Sequence, residues 1–278
     1  MSSESDSPVA VHRLNAKNLP ERDVIALEKA QEMGQTEGVT QEILHAVFPQ
    51  LEDGFMSKIQ VGLPAPDGPV RLQDGRLTNL SAFFDTAMPV VLNFGSVMEI
   101  VTQEFCGRVR YVFIYVREVF PEPGWPSAEN YRDNIHFSQP TAMCDRLKLA
   151  RIFTDRYRVH PEMAGQVTNK ASVAGGGSAD CQHDGEVPLD SEELWNAVGD
   201  SATAVDEISN EVVRAYEASP LRLYVVEQGI ITYQGGIGPW FYDPMELRRF
   251  LQRRFGEPVT EETDAEQQAG KGEGEKDN

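Results

Sequence analysis

The sequence predicts an α/β domain, with a central mixed sheet flanked by helices and a helical extension on its N-terminal side. Three observations carry that expectation. Two near-continuous apolar runs, Pro89–Ser96 and Arg110–Val116, bracket a segment with helical spacing, the pattern of buried parallel strands joined by a crossover helix. Later, Pro220–Val226 and Ile230–Tyr233 flank Gln228-Gly229 as a hairpin. Finally, the amphipathic stretch Asp243–Phe255 opens on an N-cap Asp with Pro in its first turn.

The elements follow in order. From Pro20-Glu21 the residues Val24, Leu27, Ala30 and Met33 recur at intervals of three and stop at Gly34, which predicts a helix. A second short helix is expected over Thr40–Phe48. This pair reads as packing on the main domain, with a docking arm for another protein as the alternative. The main domain is expected from residue 61 to 255. Val70–Leu72 followed by Asp74-Gly75 reads as a strand leading into a hairpin turn. Leu77–Phe84 reads as a helical turn, and Met98–Val109 as the helix after the first buried strand. Cys144–Tyr157 is expected as a helix with Leu147, Ala150, Ile152 and Phe153 inward and Arg146, Lys148 and Arg151 outward. Between about 160 and 200, Gly175-Gly176-Gly177-Ser178 and a polar acidic run read as a disordered insertion. Thr203–Val205 then reads as a short strand and Glu211–Ala218 as a helix. Residues 256–278 read as a disordered acidic tail.

Charge narrows the function. The 278 residues carry 44 acidic against 25 basic side chains, for a net −19. Nucleic acid and anionic membrane demand a surplus of Lys and Arg, so neither is expected as a partner. Residues 161–210 carry −9 and residues 256–278 carry −6, so the acidity describes appendages rather than a binding site. Three cysteines without a CxxC pair make no disulfide framework. No apolar run is long enough for a membrane helix, and the opening residues have no signal-peptide pattern. A cytoplasmic, soluble protein is expected.

Strand, turn, helix, strand, then a helix, then Ser219-Pro220 opening a terminal hairpin resembles the thioredoxin plan. There a reactive Cys sits at the first turn of the helix after the central strand, and a cis-proline faces it; Pro220 is the candidate. The sequence is, further, similar to the iodothyronine deiodinase family. The resemblance rests on Pro89-Val90-Val91-Leu92-Asn93-Phe94-Gly95-Ser96, Tyr115-Val116-Arg117-Glu118-Val119-Phe120-Pro121, Gly124-Trp125, Asn210–Tyr216, Arg222–Val226 and Tyr233–Pro239. It implies a thioredoxin-like oxidoreductase that removes iodine reductively from thyroid hormones, without a further cofactor. It also implies a homodimer.

The family's selenocysteine or Cys stands three residues after the Ser of Phe-Gly-Ser. Here that position is Glu99, the family's nearby Cys falls at Val97, and the two CxxC positions of thioredoxin become Glu99 and Thr102. A carboxylate neither attacks a halogen as a selenolate does nor forms a selenyl-sulfide. In the pattern Tyr-Ile-Glu-Glu-Ala-His the second Glu is kept as Glu118 while the His is Phe120, and a second His is Pro140. Arg222 matches the family's hormone-clamping Arg. Glu99 and Glu118 are therefore the expected chemical positions, and Ser96, Pro220 and Arg222 the expected ligand-binding ones. The reading is a pseudoenzyme that binds an unidentified protein or small molecule.

Alternatives stay beside it. A relocated thiol would be Cys106, otherwise a buried structural residue, or Cys144. Asp180, Cys181, His183 and Asp184 hint at metal ligands but lack a second spaced pair, so no metal is expected. Gly235-Gly236-Ile237-Gly238 reads as a hairpin end rather than a phosphate loop, since no Lys follows. Glu99 and Glu118 as an acid–base pair compete with Glu99 as an ionised residue at a helix start.

Overall fold

The computed structural model describes residues 21–33, 48, 59–84, 87–95, 99–122, 136–156 and 191–256. The elements are α1 (Glu21–Met33), β1 (Pro69–Leu72), β2 (Leu77–Asn79), a 3-10 turn (Leu80–Phe83), β3 (Val90–Phe94), α2 (Glu99–Glu104) and β4 (Arg110–Tyr115). There follow α3 (Met143–Arg156), α4 (Ser191–Val198), β5 (Ser201–Asp206), α5 (Glu211–Ala215), β6 (Arg222–Glu227), β7 (Ile230–Gln234) and α6 (Pro244–Phe255).

The seven strands of the described residues join one sheet in the order β2-β1-β5-β4-β3-β6-β7. β3, β4 and β5 run parallel at its centre, and β6 and β7 return antiparallel. This is the thioredoxin-like arrangement. Every residue of β3 is buried, as its unbroken apolar run predicts for a strand covered on both faces. The β6–β7 turn works because Gln228 and Gly229 both hold positive φ, 51° and 76°, the geometry of a tight hairpin turn. α6 starts where expected: the Asp243 side chain accepts from the Met245 N–H at 2.8 Å. The free side of β7 is occupied by the segment 62–65, whose Gly62 N–H donates to Ile231 O and whose Ala65 N–H donates to Gly229 O, both at 2.8 Å.

α1 packs on the domain, as the plainer reading of the N-terminal helices expected. Ala26, Leu27 and Ala30 bury against Phe48 and Ile237, beside Trp240 and Phe241. Asp23, fully buried, pairs with the equally buried Arg222 and accepts from the Ile237 N–H. The rest of the expected second helix, Thr40–Phe48, lies outside the described residues, as does Gly175–Ser178.

Five expectations change. Leu77–Asn79 is strand rather than helix, because it closes the Asp74-Gly75 hairpin on β1; only Leu80–Phe83 coils. The helix expected over Met98–Val109 stops at Glu104, and Gly107 takes a positive φ of 73°. On α3, Ile152 faces outward at 40% exposure and Arg146 inward at 1%. The heptad-like apolar spacing could not reveal this, since Arg146 is drawn in by the carbonyls of Asp206 and Glu207. Residues 191–198, counted with the disordered insertion, form α4, whose Leu194 and Trp195 enter the main core. Trp195 packs edge-on against Phe83.

Candidate functional site

β3 and β4 run parallel and end at the same edge of the sheet, which is where open α/β sheets place ligands. β3 leads through Gly95 toward α2, while β4 runs into Val116–Val119. β6 enters from the opposite direction, pairing Arg222 with Phe94, so the residues just before it arrive at the same edge. They are Ser219 and Pro220, joined by a cis peptide bond. Val116, Arg117, Glu118, Val119, Ser219 and Pro220 line a pocket with about 190 Å³ of empty space, part of it open to solvent. Gly95 fits closely at this edge: a Cβ there would stand 3.0 Å from the Tyr242 ring and 3.1 Å from Leu221, so both side chains would have to give way.

Glu118 is held from two sides. Its N–H donates to Gln139 Oε1 and its carbonyl accepts from Gln139 Nε2, both at 2.9 Å. Its carboxylate accepts from the Tyr115 hydroxyl. Burial pushes the carboxyl up to about 7, against the opposing pull of the Arg146 charge. Arg146 itself donates to the carbonyls of Glu207 at 2.7 Å and Asp206 at 3.2 Å, while its buried Nε has no partner. Burial pushes its pKa down, and the acidic groups Asp206, Glu207 and Glu118 oppose that shift. Asp206 is also raised, to about 6, by burial; it accepts from the N–H groups of Val213 and Val212 at the start of α5.

Arg117 stands out. Burial lowers its pKa, and the charges of Arg146 and Arg214 lower it further. No carboxylate among the described residues pairs with it. Ser219, only 2% exposed, carries a hydroxyl without a hydrogen-bond partner. The buried Ser219 hydroxyl thus sits without a partner beside cis-Pro220, and the partly exposed Arg117 lines the same pocket.

The expected site residues fall into different places. Pro220 and Glu118 meet in the pocket. Arg222 does not: its Nε donates to Gly235 O at 2.9 Å, its other nitrogens engage Asp23 and Glu217, and it is fully buried. Ser96 lies outside the described residues. Glu99 opens α2, with its side chain outside them, so its pairing with Glu118 is not placed. Of the thiols, Cys106 is free and exposed rather than buried, two residues beyond the end of α2. Cys144 is disulfide-bonded. Among the described residues no group of three or more metal-ligating side chains occurs, and the segment Asp180–Asp184 is not among them. No described helix is long and apolar enough to cross a membrane.

Sequence reasoning missed Arg117, Ser219, Tyr115, Arg146 and Gln139. One signal was available: Arg117 occupies the first Glu position of the Tyr-Ile-Glu-Glu-Ala-His pattern, a reversal of charge next to the retained Glu118.

Comparison with known proteins converges on the same site-bearing domain. Thyroxine 5-deiodinase of Gallus gallus is 27% identical over 228 residues, covering 77% of this chain and 70% of that protein. The Homo sapiens thyroxine 5-deiodinase is 26% identical, covering 76% of this chain and 59% of its own length. Type I iodothyronine deiodinase of Xenopus laevis is 23% identical, with 76% and 69% covered. The sequence model described as iodothyronine deiodinase matches residues 24–180 and 190–255, taking in α1, the whole sheet and α6. A match of that extent, over the same sheet edge and cis-proline, makes the chain a member of the iodothyronine deiodinase family.

Proposed function

We propose that this chain keeps the family scaffold, has given up chalcogen redox chemistry, and acts as a binding module at the pocket beside Pro220. The observation that carries the reading is Glu99 at the first residue of α2, where the resemblance puts the nucleophile. Among the described residues no thiol stands there to replace it. Cys106 lies seven residues further along the chain, past the end of α2 at Glu104, and Cys144 is committed to a disulfide. The activating field of a helix start falls off within its first turn, and Cys106 stands beyond the far end of α2.

The test is iodide release from thyroxine with a dithiol reductant. The wild-type chain is expected to release none above the no-enzyme rate, and Glu99→Cys tests whether restoring a thiol restores turnover. Wild-type turnover abolished by Cys106→Ser would overturn the reading in favour of a relocated nucleophile.

A further inference from the structure

We infer that Cys144 and Cys181 form a reversible thiol–disulfide pair, a redox-sensitive cross-link between α3 and the chain that leads to α4. This goes beyond the binding-module reading and does not rest on it, since the exchange moves electrons between sulfurs and involves neither Glu99 nor iodine. The chain has three cysteines. Cys106 is free and Cys144 is disulfide-bonded, so the partner of Cys144 is Cys181, outside the described residues. Oxidised, the bond closes residues 144–181 into one loop. Reduced, the connection from α3 to α4 is held only at its two ends.

Three features make this bond reducible rather than architectural. Cys144 is exposed, and exposed disulfides are the labile ones, open to an attacking thiolate. It is also the second residue of the 14-residue α3, where the field of a helix start stabilises a sulfur anion. Lys148, likewise exposed, stands one turn further on the same face and adds to that field; Asp145 is the acid of the first turn that opposes it. A sulfur that carries negative charge well also leaves well. Finally, α3 does not need the bond to stay in place. Leu147 and Ala150 bury it against Tyr115 and Val205, whereas disulfides are indispensable chiefly to small domains short of core.

Reduction requires an external dithiol. Its thiolate attacks one sulfur, the S–S bond breaks through a mixed disulfide, two electrons and two protons end on Cys144 and Cys181, and the reductant leaves as its own disulfide. A low-molecular-weight disulfide reverses the exchange. The helix so tethered also serves the pocket: two residues beyond Cys144, Arg146 donates to the carbonyls of Asp206 and Glu207, and its charge acts on Glu118 in the lining.

The test equilibrates the full chain with glutathione mixtures running from fully reduced to fully oxidised, blocks free thiols with iodoacetamide and maps the peptides without reductant. The linked Cys144–Cys181 peptide is expected to dominate at the oxidised end and to vanish at the reduced end. The midpoint should be the same from either direction, and Cys106→Ser should leave it in place. Trypsin should cut after Arg158 and Lys170, inside the loop, a few-fold faster in the reduced chain. Cys181→Ser and Cys144→Ser should both reach that faster rate without reductant. The inference is overturned by a link through Cys106, by no link even in oxidised glutathione, or by a link that the native chain keeps against excess dithiothreitol. Equal cleavage of the oxidised and reduced chains would overturn it too. Iodide release by the wild type would sink the binding-module reading and leave this pair to be judged on these measurements alone.

Discussion

Two arginines flank cis-Pro220, and the protein treats them in opposite ways. Arg222, behind the proline, is sealed in the core by Asp23, Glu217 and the Gly235 carbonyl. Arg117, in front of it, lines an open pocket with no paired carboxylate. The first is spent on architecture: it ties α1 to the start of β6. The second is left available. A guanidinium matched to a family's ligand clamp by position alone can therefore be structural, while its neighbour at a position the family fills with acid lines the pocket with no carboxylate paired to it among the described residues.

The contrast can be broken first on the buried side. Asp23→Ala removes the nearer carboxylate from the buried Arg222 and leaves only Glu217, at 3.7 Å, which should cost about 3 kcal/mol. Urea unfolding would measure it, and a loss below about 1 kcal/mol would mean that Arg222 is not held as described. On the pocket side, Glu118→Gln should act in the opposite direction and with pH. The folded carboxyl titrates near 7 against an ordinary 4.5. The wild type is thus most stable, as far as this group goes, below pH 4.5, and loses stability as pH rises through 7. Glu118→Gln should be more stable than wild type by about 1–2 kcal/mol at pH 8.5, with the advantage gone by pH 4. Melting at both pH values checks it; a variant less stable at pH 8.5 would show that the ionised form is the favoured one.

Smaller still is Gln139→Ala, which releases both backbone bonds to Glu118 and should cost about 1 kcal/mol. Amide exchange at Glu118 should then speed up, and unchanged exchange would mean that the clamp does not hold. The smallest effect is expected at Arg117. Since no pairing is lost, Arg117→Gln should alter unfolding free energy by less than about 0.5 kcal/mol. A large loss would place Arg117 with Arg222 among the architectural arginines.

Most of the sheet was legible in the sequence because periodicity reports burial: β3, β4 and β6 are largely buried strands, and β7 alternates between buried and more exposed residues. Errors arose where a residue's fate depended on partners distant in sequence. Arg146 reads as a surface cation on a helix until the ends of β5 are folded against it. Leu194 and Trp195 sit in an acidic run whose average composition hides a helix with one apolar face. Cis-Pro220 and Glu118 were legible as words shared with a family. Ser219 was not, since an unsatisfied donor is a property of an environment and no residue pattern encodes it.

The segment 62–65 bears on how two copies of the chain meet. Its hydrogen bonds with residues 229–231 fill the outer side of β7, and exposed strand edges are the usual templates for joining sheets between chains. That border is closed over its first two residues, Ile230 and Ile231. The opposite border is β2, three residues long, which offers at most a few backbone bonds to a neighbour. Among the described residues, then, neither side of the sheet suits edge-to-edge fusion into a larger one. A dimer of the kind the family resemblance implies would have to be built through side chains on faces and helices, and would be sensitive to surface substitutions rather than to strand register.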